Sequence, residues 1–544
     1  MKNWRINFIF IILIIFSATI IGRLIFLQVL RGDLYRALSQ GLHISFNEEQ
    51  GPRGKIFLKN GEPLAVNMDW PYVFTHPTQV DNPQETAQQL APVLDLDVNY
   101  IISKLDDSVS YSIIKKKLSS SQADEITNLK LPGVFVNTEQ GRYYPQESLA
   151  SQVVGFLGAE QRGQYGLEQS YDSVLSSCTG LFEEEKGSDL ILTIDYDVQF
   201  KAEQLLQEIK DDLAIEGGQI IVINPNSGQM LAMAELLNFN PNHYQEYAQT
   251  GNLKIFKNKA TQELFEPGSV FKPINMAAAL EEEKVSPQTT YVDEGFVQIG
   301  DDTIDNYDQR VYGTQTMTNV LEKSINTGSV FVQKKLGQNL FLKYIEKFGF
   351  FEPTGIDIQE SYSQNREIKT ARPVNLATAS FGQGIEMTPI QLIRAYSAIA
   401  NGGKLITPYL VEKEIIEDVV VKEHLINEQE SRIISSKTAS QLTAMLVSVV
   451  ENGFAKAAKI PGYFIAGKTG TAQVSFGALG IDKKGYSDKT IQTFVGFAPA
   501  FHPQFSILVK LDNPQTRTAE YSAVPAFREL AEYIINLYQI PPDY

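Results

Sequence analysis

Glu266-Pro-Gly-Ser-Val-Phe-Lys272, followed by the apolar, alanine-rich run of residues 274–280, is the stretch from which the rest of the chain is read. A Pro-Gly break ahead of such a run marks a helix start, with Ser269 in the first turn. Pro273 fits there, because its missing N–H would have no partner in a first turn. Three residues apart on a helix, the Ser269 hydroxyl and the Lys272 amine share one face. A neutral lysine so placed could take the serine proton and make a nucleophile. Spacing alone does not settle the matter, since Ser112 and Lys115 share it.

Two further stretches carry chemistry. Ser324-Ile325-Asn326, followed by Thr327-Gly328, can present a hydroxyl and an amide to one small region if it forms a tight turn. Alone it reads equally as a polar turn or cap, and Ser45-Phe46-Asn47 matches it. Lys468-Thr469-Gly470-Thr471 lies on a strand-like run, where an interior glycine marks the close approach of a backbone or ligand. A cation and two hydroxyls beside it suit a substrate carboxylate. The same stretch satisfies a phosphate-loop pattern, Gly462-Tyr-Phe-Ile-Ala-Gly467-Lys468-Thr469, which raises a nucleoside triphosphatase as a rival. Its context argues against that rival. The loop positions are bulky, Pro461-Gly462 precedes them instead of an apolar strand, and residues 470–474 read as strand and not as a helix opening.

The bulk properties narrow the class. At 544 residues the chain calls for two or three domains. Its 43% hydrophobic and 20% charged content is globular, and a net charge of −17 disfavours nucleic acid as a partner. Cys178 is the single cysteine, so no disulfide can form within the chain. The five histidines include no His-x-x-x-His pair and suggest no metal site. Residues 6–22 and 24–30 are almost wholly apolar behind Lys2 and Arg5, with Arg23 able to snorkel. The run exceeds a signal peptide's apolar core, and no small-residue cleavage site follows, so residues 1–30 read as an uncleaved single-span membrane anchor.

In chain order, Asn60-Gly61 between apolar pairs predicts a hairpin, and helices are expected near residues 83–94 and 121–129. The polar stretch 178–188 reads as a boundary. Beyond it come a short strand at 190–194, a helix at 198–209 and a hairpin of strands 218–223 and 229–234. Residues 310–400 are mainly helical, and Thr388-Pro389-Ile390-Gln391 forms a capping box with proline at the first helical position. A helix near 439–450, strands at 467–474, 493–498 and 506–511, and a closing helix through Phe527, Leu530, Ile534 and Leu537 complete the pattern. The class is α+β, with a mixed or antiparallel sheet flanked by helices.

Ser-x-x-Lys at 269–272, Ser-x-Asn at 324–326 and Lys-Thr-Gly at 468–470, in that order, resemble the signature of the serine penicillin-recognising enzymes. Residues 53–54, 60–61 and 64–65 look like the opening of the non-catalytic domain of class B penicillin-binding proteins. Residues 142–145, 155–158 and 166–172 look like its later motifs, and 258–273, 381–389 and 494–499 resemble the surroundings of the transpeptidase motifs. The resemblance implies a membrane anchor (1–30), a mixed α/β pedestal or dimerisation domain (31–185) and a transpeptidase domain (186–544). It implies a monofunctional D,D-transpeptidase on the outer side of the cytoplasmic membrane that cross-links peptidoglycan stem peptides and is inhibited by β-lactams. It would need no cofactor, and a membrane glycosyltransferase with division or elongation proteins would be its partners. Residues 377–383 and 522–527 lean towards the septal type, penicillin-binding protein 3, although Ala519-Glu520-Tyr521 departs from the usual glycine pair. The elongation type, penicillin-binding protein 2, is the alternative, followed by a β-lactamase or a β-lactam sensor. By resemblance Ser269 is the nucleophile, Lys272 its base, Ser324 a proton relay and Asn326 a ligand of the donor amide. Lys468 would help to lower the Lys272 pKa and, with Thr469, Gly470 and Thr471, line the carboxylate site. The N–H groups of Ser269 and Thr471 would form an oxyanion hole.

Overall fold

A computed structural model of the chain describes residues 16, 52–176, 186–370, 372–425 and 431–544. The expected anchor lies outside the described residues apart from Phe16, and among the described residues no helix is long and apolar enough to cross a membrane. Packing separates two compact units. One is built chiefly from Asn67–Arg142, the other from Gly54–Val66, Tyr143–Leu175 and Ser188–Tyr544. Leu149, Val153, Phe156 and Leu167 share a core with Leu205 and Ile220 of the C-terminal part, which gathers Tyr143–Leu175 into that unit.

β1 (Ile56–Phe57) opens the larger unit, and β2 (Pro63–Thr75) begins in it and continues into the smaller. In the smaller unit come α1 (Pro83–Leu94), α2 (Val98–Lys104), β3 (Ser112–Lys115), α3 (Ser120–Leu129) and β4 (Val134–Tyr143). The start of α1 is local chemistry: the Asn82 side chain accepts from Glu85 N and Pro83 takes the first turn. A Ser119–Gln122 capping box starts α3. β2 pairs antiparallel with β3 and also pairs with β4. Val73, Leu90, Leu94, Ile101, Ile114 and Ile126 form the core beneath.

The larger unit continues with β5 (Asp189–Leu192), α4 (Tyr196–Leu213), β6 (Gly217–Ile223) and β7 (Met230–Glu235). Its middle part includes α5 (Lys272–Glu281), four short strands and the helices on either side of Ser324. The strands are β8 (Thr290–Asp293), β9 (Phe296–Ile299), β10 (Asp302–Asp305) and β11 (Gly313–Thr316), followed by α6 (Met317–Glu322) and α7 (Asn326–Leu336). After α8 (Pro389–Ala400) come β12 (Val411–Ile416), β13 (Val419–Glu423), α9 (Ser436–Asn452), β14 (Ala466–Ser475), β15 (Tyr486–Ala498), β16 (Phe505–Asp512) and α10 (Ala523–Leu537). The Thr388–Gln391 capping box is present at the start of α8.

The main sheet has five strands in the order β14-β15-β16-β6-β7, all paired antiparallel. Every residue of β6 and β7 is buried, so no inside-outside alternation survives. That is what a sheet covered on both faces requires. α4 and α10 pack on each other and on the sheet, while α8 and α9 pack on it as a separate pair that carries α5. The smaller strands of this unit include β1, which is parallel to β5, and β12, which joins β5 to β13. The phosphate-loop rival fails here: Lys468 and Thr469 sit inside β14, with no helix starting at the lysine.

Candidate active site

The Pro-Gly break produces a short 3-10 turn, Gly268–Phe271, that runs directly into α5 at Lys272. Ser269 thus stands one turn ahead of the α-helix. The Lys272 N–H donates to the Ser269 carbonyl, and the Lys272 Nζ lies 3.0 Å from Ser269 Oγ. Gly268 has φ +62°, and a Cβ there would meet the Ala472 Cβ at 3.0 Å. Its N–H donates to the Gly382 carbonyl at 3.0 Å, so two glycine backbones cross directly beside Ser269.

Ser324 lies between α6 and α7 with φ +52°, left-handed backbone that is uncommon for a serine. This turn aims both its carbonyl and its hydroxyl at Lys272, at 2.6 and 3.1 Å. Asn326 opens α7, and its Oδ1 accepts from Lys272 Nζ at 2.9 Å. Its Nδ2 donates to the Asp305 carbonyl at 3.1 Å, which fixes which way round the amide stands.

Lys468 comes from β14, the edge strand of the main sheet, and donates to Ser324 Oγ at 3.0 Å and to the Thr469 carbonyl at 3.1 Å. Gly470 is on the same face of β14, two residues on. A Cβ there would lie 2.9 Å from the Pro267 carbonyl and 3.0 Å from Val270 Cγ1. The glycine is what lets the strand lie against the nucleophile turn, the close approach expected of it. Thr469 and Thr471 stand on the other face, partly exposed, and Thr471 Oγ1 accepts from Ala519 N at 3.2 Å.

The structure therefore brings together the three sequence motifs. Ser269, Ser324 and Asn326 are partly accessible, whereas Lys272 and Lys468 are 1% and 0% exposed. Burial is the main force pushing the Lys272 amine well below its usual range, and the nearby Lys468 adds to it. Burial pushes Lys468 itself down to about 7. A neutral Lys272 has two N–H donors. The Ser324 carbonyl and Asn326 Oδ1, which only accept, can use both, leaving the lone pair for a hydroxyl proton. Tyr396 of α8 was not foreseen: its Oη donates to the Val270 carbonyl at 2.8 Å and braces the nucleophile turn. The one signal of such a role is a tyrosine in a helix with apolar residues at Ile390, Leu392, Ile393, Ala395, Ala398 and Ile399, because a buried phenol needs an acceptor.

A serine turn leading into α5, a hydroxyl-amide turn ahead of α7 and a lysine on an edge strand have the arrangement expected of a serine acyl-transfer site of the penicillin-recognising kind. Residues 218–532 match the penicillin binding protein transpeptidase domain, and residues 48–188 match the penicillin-binding protein dimerisation domain. The chain belongs to the penicillin-binding proteins, in the class that joins a dimerisation domain to a transpeptidase domain. It is 34% identical to stage V sporulation protein D of Bacillus subtilis, over 94% of this chain and 82% of that one. It is 28% identical to peptidoglycan D,D-transpeptidase FtsI of Buchnera aphidicola, over 99% and 96%. Among solved structures, penicillin binding protein 3 of Mycobacterium tuberculosis complexed with aztreonam superposes with a TM-score of 0.72 at 26% identity. That match covers 91% of this chain and 98% of the other.

Proposed function

We propose that this penicillin-binding transpeptidase cross-links peptidoglycan stem peptides through an acyl-enzyme on Ser269, in septal wall synthesis. The observation that carries the reading is the buried Lys272 amine, depressed in pKa and held within 3.1 Å of Ser269 Oγ, Ser324 Oγ and Asn326 Oδ1. Lys272 accepts the Ser269 proton as Oγ attacks the carbonyl of the penultimate D-Ala in a donor stem. Ser324 lies between the two lysines, 3.1 Å from Lys272 and 3.0 Å from Lys468, and passes a proton to the departing amine of the last D-Ala. The C–N bond breaks and the Ser269 ester remains. An amine of a neighbouring stem then attacks that ester and returns the proton to Ser269 along the same path.

The donor strand lies along the free edge of β14, with its amide at Asn326 and its terminal carboxylate at Lys468, Thr469 and Thr471. Gly470 keeps that strand close to the nucleophile. The N–H groups of Ser269 and Thr471 hold the oxyanion, each worth about 3–4 kcal/mol to the transition state. A β-lactam takes the donor's place and leaves a long-lived ester. The likeness to FtsI and to penicillin binding protein 3 favours the septal role. In that role an anchor at residues 1–30 places the catalytic unit outside the cytoplasmic membrane, beside a membrane glycosyltransferase and division proteins.

The test is to treat the full chain in detergent with a fluorescent penicillin and locate the adduct by peptide mass. A long-lived ester on Ser269 supports the reading; no adduct, or rapid hydrolytic turnover, overturns it. Depletion in cells checks the septal role, with filaments expected and rounded cells contradicting it.

A further inference from the structure

Between the nucleophile helix α5 and the Ser324 turn the chain makes two small hairpins, β8 with β11 and β9 with β10. Acyl transfer at Ser269 draws no side chain from them, yet they contain a buried polar cluster of unusual density. The Asp293 carboxylate, 1% exposed, accepts from Thr327 Oγ1 at 2.5 Å and from Tyr312 N at 2.7 Å. It also accepts from Asn306 Nδ2 at 2.9 and 3.0 Å and from Gly295 N at 3.2 Å. Asn306, 4% exposed, is thereby held with its Oδ1 on the Thr327 N–H at 3.1 Å.

Thr327 is the second residue of α7, and no side chain caps that helix at Ile325. Asn306 therefore supplies, from another element, an acceptor that the helix start lacks. The residue before Asn306 is Asp305, whose carbonyl takes the Asn326 Nδ2. A connected path thus runs from Asp293 by hydrogen bonds to Asn306, along the chain to the Asp305 carbonyl, and by a hydrogen bond to Asn326. It ends at the 2.9 Å contact of Asn326 Oδ1 with Lys272 Nζ.

We propose that Asp293 is a positioning residue for the acyl transfer: through Asn306 and Thr327 it holds the Asn326 amide with its oxygen, and not its nitrogen, against Lys272. This rests on the reading of Lys272 as the base. With the oxygen inward, the amide accepts a Lys272 N–H and leaves the amine's lone pair to Ser269. With the nitrogen inward, the amide would donate to Lys272, compete for that lone pair and disfavour the ammonium. Lys468 is the charged group facing Lys272 in either arrangement; Ser269, Ser324 and Asn326 are neutral.

Asp293→Asn tests this, because it keeps the size but sets an N–H against donors that now converge on oxygen. The measurement is the second-order rate of Ser269 acylation by fluorescent penicillin from pH 5 to 10, on the full chain in detergent, beside thermal unfolding. The expected result is a plateau about 100-fold lower and an acid limb displaced to lower pH. Thr327→Val removes one donor to the carboxylate and should move both quantities the same way by less. It carries the test if Asp293→Asn does not fold. Folded variants with the plateau and limb of the unaltered chain would reduce the cluster to a stabilising one and overturn the proposal, and so would a limb displaced to higher pH. Absence of a Ser269 adduct on the unaltered chain would instead remove the functional reading itself, and the proposal with it.

Discussion

The chain contains a serine and a lysine three residues apart at 112–115 and again at 269–272, and the two places could hardly differ more. Ser112 and Lys115 lie on β3, where residues three apart point to opposite faces of the sheet. Ser112 pairs with Thr75 and Lys115 with Val73, and the Lys115 amine turns away to donate to the Leu94 carbonyl. Ser269 and Lys272 lie on a helical turn, which brings Oγ and Nζ to 3.0 Å. The same letters make a reactive pair only where the backbone is helical and the amine is buried.

The sharpest way to break this comparison is to truncate both pairs. Ser269→Ala and Lys272→Ala should each lower acylation by about ten-thousandfold or more, since nucleophile and base act as one unit. Ser112→Ala and Lys115→Ala should leave the acylation rate unchanged. An adduct that persists in Ser269→Ala and disappears in Ser112→Ala would invert the assignment.

A second prediction concerns what makes Lys272 a base. Burial depresses it first and Lys468 second, so Lys468→Ala both admits water and removes a neighbouring cation. Both effects raise the Lys272 pKa. The acid limb of the acylation profile should move to higher pH, and the rate at pH 7 should fall about 100-fold and recover in part as pH rises. Stability carries a matching sign. Lys468 titrates near 7 in the fold and near 10.5 unfolded, so between those values the unfolded chain holds the extra proton. Its contribution to stability therefore rises with pH across that window, and Lys468→Met should flatten that rise in thermal unfolding.

Much of this was legible in residues whose signals are local. Asn82 and Pro83 start a helix that ends at Leu94 as expected, and Thr388 with Gln391 forms the capping box that its spacing announces. The strands at the three late β-like runs are present, lengthened by one residue or by several at their ends. The motif residues could be found because each stands beside a glycine, a proline or a helix start. What escaped depends on contacts between residues far apart. The left-handed φ of Ser324 falls on a serine, with no glycine or asparagine at that position to announce it. Asp293 reads as an ordinary strand-end acid until Asn306 and Thr327 arrive beside it. The grouping of Tyr143–Leu175 with the larger unit is decided by a shared core, which no boundary composition records.

Gly470→Ala should have the next largest effect. The added methyl would meet the Pro267 carbonyl at 2.9 Å and Val270 Cγ1 at 3.0 Å, and neither is the loose end of a flexible side chain. Either β14 withdraws from the nucleophile turn or the turn shifts, at about 1–3 kcal/mol of stability. Because Lys468 is on the same strand, acylation should fall more than stability does. A folded variant with unchanged acylation would mean that the strand and turn can part without harm.

Tyr396→Phe is the mildest test and separates positioning from charge. The phenol donates to the Val270 carbonyl one residue after the nucleophile, and both groups are buried. Removing the hydroxyl leaves that carbonyl without its donor, which should cost about 1–3 kcal/mol in thermal or denaturant unfolding. Burial raises the Tyr396 phenol well above its usual range, so it remains a donor across the whole working pH interval. Its loss should therefore lower the acylation rate by the same modest factor at every pH and leave the acid limb in place. Lys468→Ala moves that limb. If Tyr396→Phe moved it too, the nucleophile turn and the lysine pair would be coupled through more than geometry, since the phenol carries no charge that could act on Lys272 directly.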